Sequence, residues 1–174
     1  MNIFTIPYSS KGFYARPDTS LNRDSNDYFC PDGVTELAAS VFIYAKAAKA
    51  GKCIAAKFAQ RYYSVMGKGV HFSAPSVEDG SPESWWLSNS LDSTTFITDE
   101  YAAADASAED IEAINNAFEK ISGRISLRTG DIIAIETAEK VMVPQGTATF
   151  TSGNRGINII WSFRLWRFLP PLLR

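Results

Sequence analysis

Residues 36–45 read ELAASVFIYA, and the element they form constrains everything around them. The alanine pair suits the start of a helix, whereas Val41-Phe42-Ile43-Tyr44 is a β-branched and aromatic run that fits a pleated surface. As a strand, the segment turns Ala38 and Ser40 to one face and Ala39 and Val41 to the other. One face is then small and chemically inert. The following AKAAKAGK is helix-prone by composition, and Gly51 ends whichever element precedes it. From these residues alone, helix and strand both stay open.

Elsewhere the periodicity is clearer. Ile54, Phe58, Tyr62 and Val65 recur at helical spacing, which predicts a helix over 54–66 stopped by Gly67. A second helix is expected from Ser107, whose hydroxyl can cap it with Asp110 three residues on. Its buried stripe is Ile111, Ile114, Phe118 and Ile121, and Gly123 suits its C-terminal turn. Short strands are expected at 3–7, 69–74 and 157–161, and at 131–136 after a turn at Thr129-Gly130. ARPDTSLNRDSNDY and residues 75–84 read as polar loops. Strand outweighs helix and no regular βαβ alternation is present, so the class is mixed α/β and β-rich.

The 174 residues suffice for one core, and 45% hydrophobic with 21% charged residues is ordinary globular composition. A net charge of −2 leaves no general nucleic-acid footprint. No run approaches the ~18 apolar residues of a membrane span, and MNIFTIPYSS lacks the regions of a signal peptide. Cys30 and Cys53, the two cysteines, read as reduced thiols of a cytosolic protein, with a single disulfide as the alternative.

His71 is the single histidine, which excludes HExxH and His-rich zinc chemistry. A Ser-His-Asp arrangement could be drawn from Ser40, Ser73 or Ser76 with Asp92, but no GxSxG elbow accompanies it, and a structural histidine is the plainer reading. Glu78, Asp79 and Glu83 crowd a Gly/Ser/Pro turn and read as a solvated loop rather than a cation site. The tail WSFRLWRFLPPLLR could meet a membrane surface or a partner. The plainer reading is a last strand packed on the core or at a subunit contact.

The stretch ARPDTSLNRDSNDYFCPDG, followed by GKCIAAKFAQRYYSVMGKGVHFSA, resembles the fumarylacetoacetate hydrolase family, most of all its short bacterial acylpyruvate-hydrolase-like members. KISGRISLRTGDIIAIETAEKV is similar to the family's S-x-x-x-T-L-x-P-G-D-x-I-x-T-G-T-P-x-G-V, and SWWLSNSLDSTTFI more weakly to its P-W-x-x-A-K-x-F-D segment. The resemblance covers residues 13 to 142 or so. It implies a single domain over 1–174 with a fumarylacetoacetate-hydrolase-like β-sandwich or roll and a few flanking helices. It also implies a homodimer, beside the cytoplasmic residence read from the thiols, and it reads 36–45 as strand. In the family, a Mg²⁺-like ion on three carboxylates binds a keto acid and stabilises the departing enolate, a lysine supports the oxyanion, and a His/Glu lid dyad activates water.

Carried over position by position, the two carboxylates of the E-x-E strand fall on Ala38 and Ser40, and the third, an aspartate, on His71. The lysine falls on Asn89 and the G-T-P threonine on Thr137. The lid motif and one hairpin have no counterpart. The resemblance therefore implies a ligand pocket of Ala38, Ser40, His71, Asn89 and Thr137, no metal ligands, and no Mg or Mn cofactor. The leading expectation is a scaffold without the hydrolase chemistry, a pseudoenzyme. Two other readings stand beside it. One is a hydrolase or lyase for a small keto acid or other ligand, acting through a rebuilt pocket of His71, Asp92 and Thr137. The other is a binding or assembly partner of an active paralogue.

Overall fold

ELAASVFIYA is strand throughout in the computed structural model, which describes residues 1–23, 25–153 and 155–161. The chain runs β1 (Ile3–Ile6), β2 (Tyr14–Arg16), β3 (Asp27–Cys30), β4 (Glu36–Ala47), β5 (Tyr63–Ser73), α1 (Pro82–Ser88) and β6 (Thr95–Ala102). It continues through α2 (Ala108–Ser122), β7 (Ile132–Glu136), β8 (Val141–Pro144), β9 (Thr149–Ser152) and β10 (Arg155–Trp161). One large sheet has the order β2-β1-β7-β4-β5-β6, with β8 also pairing β4; a small sheet has the order β3-β10-β9. Mixed α/β, β-rich architecture is thus what the chain adopts.

The large sheet is rolled, and two side-chain contacts show it. Thr5 on β1 and His71 on β5 are separated by three strand spacings, about 14 Å on a flat sheet. Their side chains nevertheless meet, with Thr5 Oγ1 3.2 Å from His71 Nε2. Arg16, one strand further out, donates to the Phe72 carbonyl of β5 at 2.9 Å. The chain after β2 closes the curl by hydrogen bonding to β6, Asn22 N–H to Thr95 O at 2.8 Å.

β4 is buried on both faces, which explains its almost unbroken apolar run. Ile43, Ala45 and Ala47 face α2, packing with Ile114, Phe118 and Ile121. Leu37 and Ala39 face the small sheet, packing with Tyr28, Phe72, Ile157, Ile159 and Trp161. The opposite face of β4 looks into the roll. There Phe42 and Tyr44 cluster with Ile3, Ile132 and Ala134. Gly67 and Gly69 on β5 are needed beneath these rings. A Cβ at Gly69 would lie 2.3 Å from Phe42 Cζ, and one at Gly67 2.6 Å from Tyr44 Cε1.

The helix from Ser107 forms as expected; the Ser107 hydroxyl accepts from the Asp110 N–H at 3.1 Å. The helix expected over 54–66 does not form. Ala56–Arg61 is a 3₁₀ stretch, and Tyr63 onward joins β5, where Tyr63 and Val65 pair with Ala47 and Lys46. Pairing along β4 outweighs the local helical spacing, and Gly67 becomes a mid-strand residue rather than a helix stop. The loop expected over 75–84 runs partly into α1, whose Ser81 cap accepts from the Ser84 N–H and whose first residue is Pro82. The strand expected at 157–161 is part of β10, and the reading of the aromatic and basic tail falls on residues 162–174, outside the described residues. No helix among the described residues is long and apolar enough to cross a membrane.

Candidate functional site

Antiparallel register places Ser40 directly opposite His71 and Ala38 opposite Ser73 on the inner face of the roll. Residues paired across a ladder project to the same side, so the positions the resemblance singles out on β4 and β5 do converge. Thr95 on β6 pairs with His71 on its other side, and Thr5 on β1 completes the surroundings. Glu136 on β7, paired with Phe42, is on the same face.

His71 is 1% exposed. Its ring stacks on Phe42 with centroids 4.0 Å apart, and its Nε2 and Nδ1 lie 3.2 and 3.0 Å from the hydroxyls of Thr5 and Thr95. Burial, and then the nearby charges of Arg16 and Lys140, hold its pKa well below the usual imidazole value. The ring is neutral, with both nitrogens engaged. Among the described residues no Ser-His-Asp arrangement forms, because neither nitrogen meets a carboxylate. Asp92 instead lines an outer cleft of about 850 Å³ with Pro17, Phe29 and Trp86, and Ser76 Oγ accepts from the Thr35 N–H elsewhere.

Asn89 ends α1 and is 1% exposed. Its amide donates to Trp85 O at 2.8 Å, and its Oδ1 faces the Lys140 ammonium at 3.4 Å. Thr137 stands apart from this group. It is exposed, its N–H donates to Val41 O at 3.0 Å, and it lines a separate cleft with Lys68, Thr98 and Asp99. The roll therefore brings together Ala38, Ser40, His71 and Asn89, and leaves Asp92 and Thr137 outside.

Three charged residues of this face were not singled out from the sequence as chemistry. Arg16, 1% exposed, donates through Nη2 to Phe72 O and Thr94 Oγ1. Lys140, on the turn after β7, reaches in with its ammonium 3.3 Å from Ser73 Oγ. Burial lowers its pKa, with Glu136 acting in the opposite direction. Glu136 is buried and accepts the Tyr8 N–H at 3.2 Å. Once β2 is recognised, its two-residue period puts Arg16 on the face of the partly buried Tyr14; nothing local marks Lys140.

These residues do not fit a Mg²⁺-type ion, which needs anionic oxygens in near-octahedral array. The three positions offer a methyl group, a hydroxyl and a neutral imidazole already engaged with Thr5 and Thr95. Two cationic side chains, Arg16 and Lys140, act on the same place. Among the described residues, no three His, Cys, Asp or Glu side chains converge as a metal-holding group.

No protein-family model matches the sequence, and no curated protein matches it either. Solved structures do match in shape. Fumarylpyruvate hydrolase from Pseudomonas aeruginosa, in complex with Mn²⁺ and pyruvate, aligns at TM-score 0.71 and 11% identity over 93% of this chain and 90% of that one. A 5-carboxymethyl-2-hydroxymuconate delta-isomerase from Mycobacterium smegmatis aligns at TM-score 0.72 and 10% identity, covering 94% and 80%. A Yersinia pestis CO92 protein assigned to the fumarylacetoacetate hydrolase family aligns at 0.71 and 12%, covering 92% of each chain. Over nearly its whole length, then, this chain has the fold of the fumarylacetoacetate hydrolase family structures.

Proposed function

We propose that this protein keeps the fumarylacetoacetate hydrolase scaffold without the metal-dependent carbon–carbon hydrolysis of that family. The observation that carries the reading is His71. At the position the resemblance gives to a metal-binding aspartate stands a buried, neutral ring held by Thr5 and Thr95. Ala38 and Ser40 beside it supply no carboxylate. The test is an assay with acylpyruvate substrates and added Mg²⁺ or Mn²⁺, alongside calorimetric titration of each ion. No turnover and no ion binding are expected. Hydrolysis that requires the metal and stops with a chelator would overturn the reading.

A catalytic site of His71, Asp92 and Thr137 draws no support from the geometry, since the last two lie outside the roll. Pairing as a homodimer belongs to the proposed reading. Phe29 and Ile160, adjacent in register on the small sheet and both exposed, support it as an apolar contact. A monomer in light scattering would remove that part. Cytoplasmic residence is also proposed, supported by two thiols that are not joined to each other.

A further inference from the structure

We propose that the end of the molecule formed by residues 47–62 and 120–130 docks on an anionic lipid bilayer, with its lysines and arginines at the headgroups and Phe58 as the apolar contact. The inference goes beyond the loss of metal chemistry and does not depend on it.

The charge is written in two segments. Residues 47–62 hold Lys49, Lys52, Lys57 and Arg61, residues 120–130 hold Lys120, Arg124 and Arg128, and neither segment contains an aspartate or glutamate. The whole chain carries a net charge of −2, so positive charge is concentrated here against an acidic remainder. The fold then joins the segments. Gly51 forms an antiparallel bridge with Leu127, the Cys53 N–H donates to Ser122 O at 2.9 Å, and the Ala48 N–H donates to Tyr62 O at 2.7 Å. Cations far apart in the chain thereby share one end of the molecule.

All of them except Lys120 are exposed. Among the described residues none of the seven is in an ion pair, the pair present being Arg23 with Asp18. Carboxylates do border this end. Glu112 lines a cleft with Lys57, Glu109 stands one turn before it, and Glu119 is in the last turn of α2. Asp131 is buried, its two oxygens accepting the N–H groups of Asn2 and Arg128. The cations still outnumber these carboxylates, and the field they leave is positive. An anionic leaflet attracts such a cluster, each lysine or arginine near its surface adding to the binding.

Phe58 decides which polyanion fits. It is 42% exposed, with Lys57 Nζ 5.0 Å and the Arg61 guanidinium carbon 4.8 Å from its ring centre. A ring face covered by a cation is not free to stack on a base, which is what a nucleic-acid strand would ask of it. An aromatic ring flanked by cations suits a bilayer interface, where the ring enters among the headgroups and the cations meet their phosphates and carboxylates. Ala48 and Ala50 of the first segment are exposed too, and their short side chains let a flat surface approach.

The experiment is co-sedimentation of the full chain with sucrose-loaded vesicles, of phosphatidylcholine alone or with one third phosphatidylserine, at low and raised salt. Binding is expected only with phosphatidylserine, and it should fall as salt is raised. Lys52→Gln combined with Arg128→Gln, beside the Gly51–Leu127 bridge, should weaken it about 10-fold or more, while Lys52→Arg with Arg128→Lys should retain it. Phe58→Ala should weaken it about 3-fold or more. Lys11→Gln, on the turn before β2, is the charge control and should stay within about 2-fold of the parent. Failure to bind phosphatidylserine vesicles at low salt would overturn the proposal, as would equal binding to phosphatidylcholine alone. Unchanged binding in the paired glutamine variant, or an equal loss in Lys11→Gln, would overturn the assignment to this end of the molecule. Unchanged binding in Phe58→Ala would overturn the role of the ring. Tighter binding to single- or double-stranded DNA than to the vesicles would overturn the choice of a bilayer.

Discussion

His71 lies against Phe42 with ring centroids 4.0 Å apart, and this stack is the inner wall of the roll. Three strands contribute to the packing of the imidazole, since Thr5 and Thr95 flank its nitrogens from β1 and β6. The ring is at once packing material and the hub of a polar network. Removing it should therefore register as lost stability.

His71→Ala is expected to cost about 2–4 kcal/mol, from lost packing and two hydroxyls left without their partner. Urea unfolding followed by fluorescence measures it. A loss below about 0.5 kcal/mol would show that the ring is not packed as described.

The same ring gives a pH dependence whose sign is fixed. Its folded-state pKa lies below the unfolded value of 6.5, so below pH 6.5 the unfolded chain takes up a proton that the folded chain refuses. This contribution is fully present above pH 6.5 and is lost as pH falls beneath it, by at most about 1.4 kcal/mol per pH unit. Unfolding free energies from pH 7.5 to 5 should fall more steeply for the parent than for His71→Gln, which cannot titrate. Parallel slopes would contradict a neutral buried imidazole.

Gly69→Ala should destabilise by about 1–3 kcal/mol, because its Cβ would meet Phe42 and, at 2.5 Å, the Phe96 carbonyl oxygen. Gly12→Ala is the control. Its Cβ would sit 3.6 Å from Ser10 Oγ, an ordinary contact, and stability should stay within about 0.5 kcal/mol. Melting temperatures of the two variants make the comparison.

Arg16→Met should change stability by no more than about 1 kcal/mol, because removing a buried charge that has no ion-pair partner among the described residues offsets the two lost hydrogen bonds. Denaturant titration of the variant checks this. A loss above about 3 kcal/mol would mean that the guanidinium is well compensated within the chain.

Cys53 is exposed and Cys30 buried, with the Cys30 thiol pushed up to about 11 by its surroundings. Since the thiolate is the reactive form, a thiol reagent at pH 8 should label one cysteine in the folded protein and both in denaturant. Rapid labelling of both in the folded state would show that β3 does not shield Cys30.

The helix from Ser107 is legible because its signals are local, a 3.6-residue period and a capping hydroxyl, whereas at 36–45 the local residues leave helix and strand open and only the resemblance reads them as strand. The helix expected at 54–66 shows the limit of such signals. Ile54, Phe58, Tyr62 and Val65 have the spacing, but Tyr63 and Val65 gain more by pairing with β4 than by closing helical turns. α1 was missed although Ser81-Pro82 marks its start, because the polar residues around it read equally well as turn.

For the site, the sequence by itself determined which side chains could not serve a metal. Ala38, Ser40 and His71 lack the carboxylates whatever the fold, and the alternation of β4 already put the first two on one face. Only the tertiary structure decided their company. Arg16 reaches a carbonyl 56 residues away, and Lys140 a hydroxyl 67 residues away. Asp92 and Thr137, equally plausible on paper, fell outside. Periodicity sets which way a residue faces along its own strand, but the curl of the sheet depends on pairings made far along the chain, and that curl brings the two cations and the imidazole into one interior.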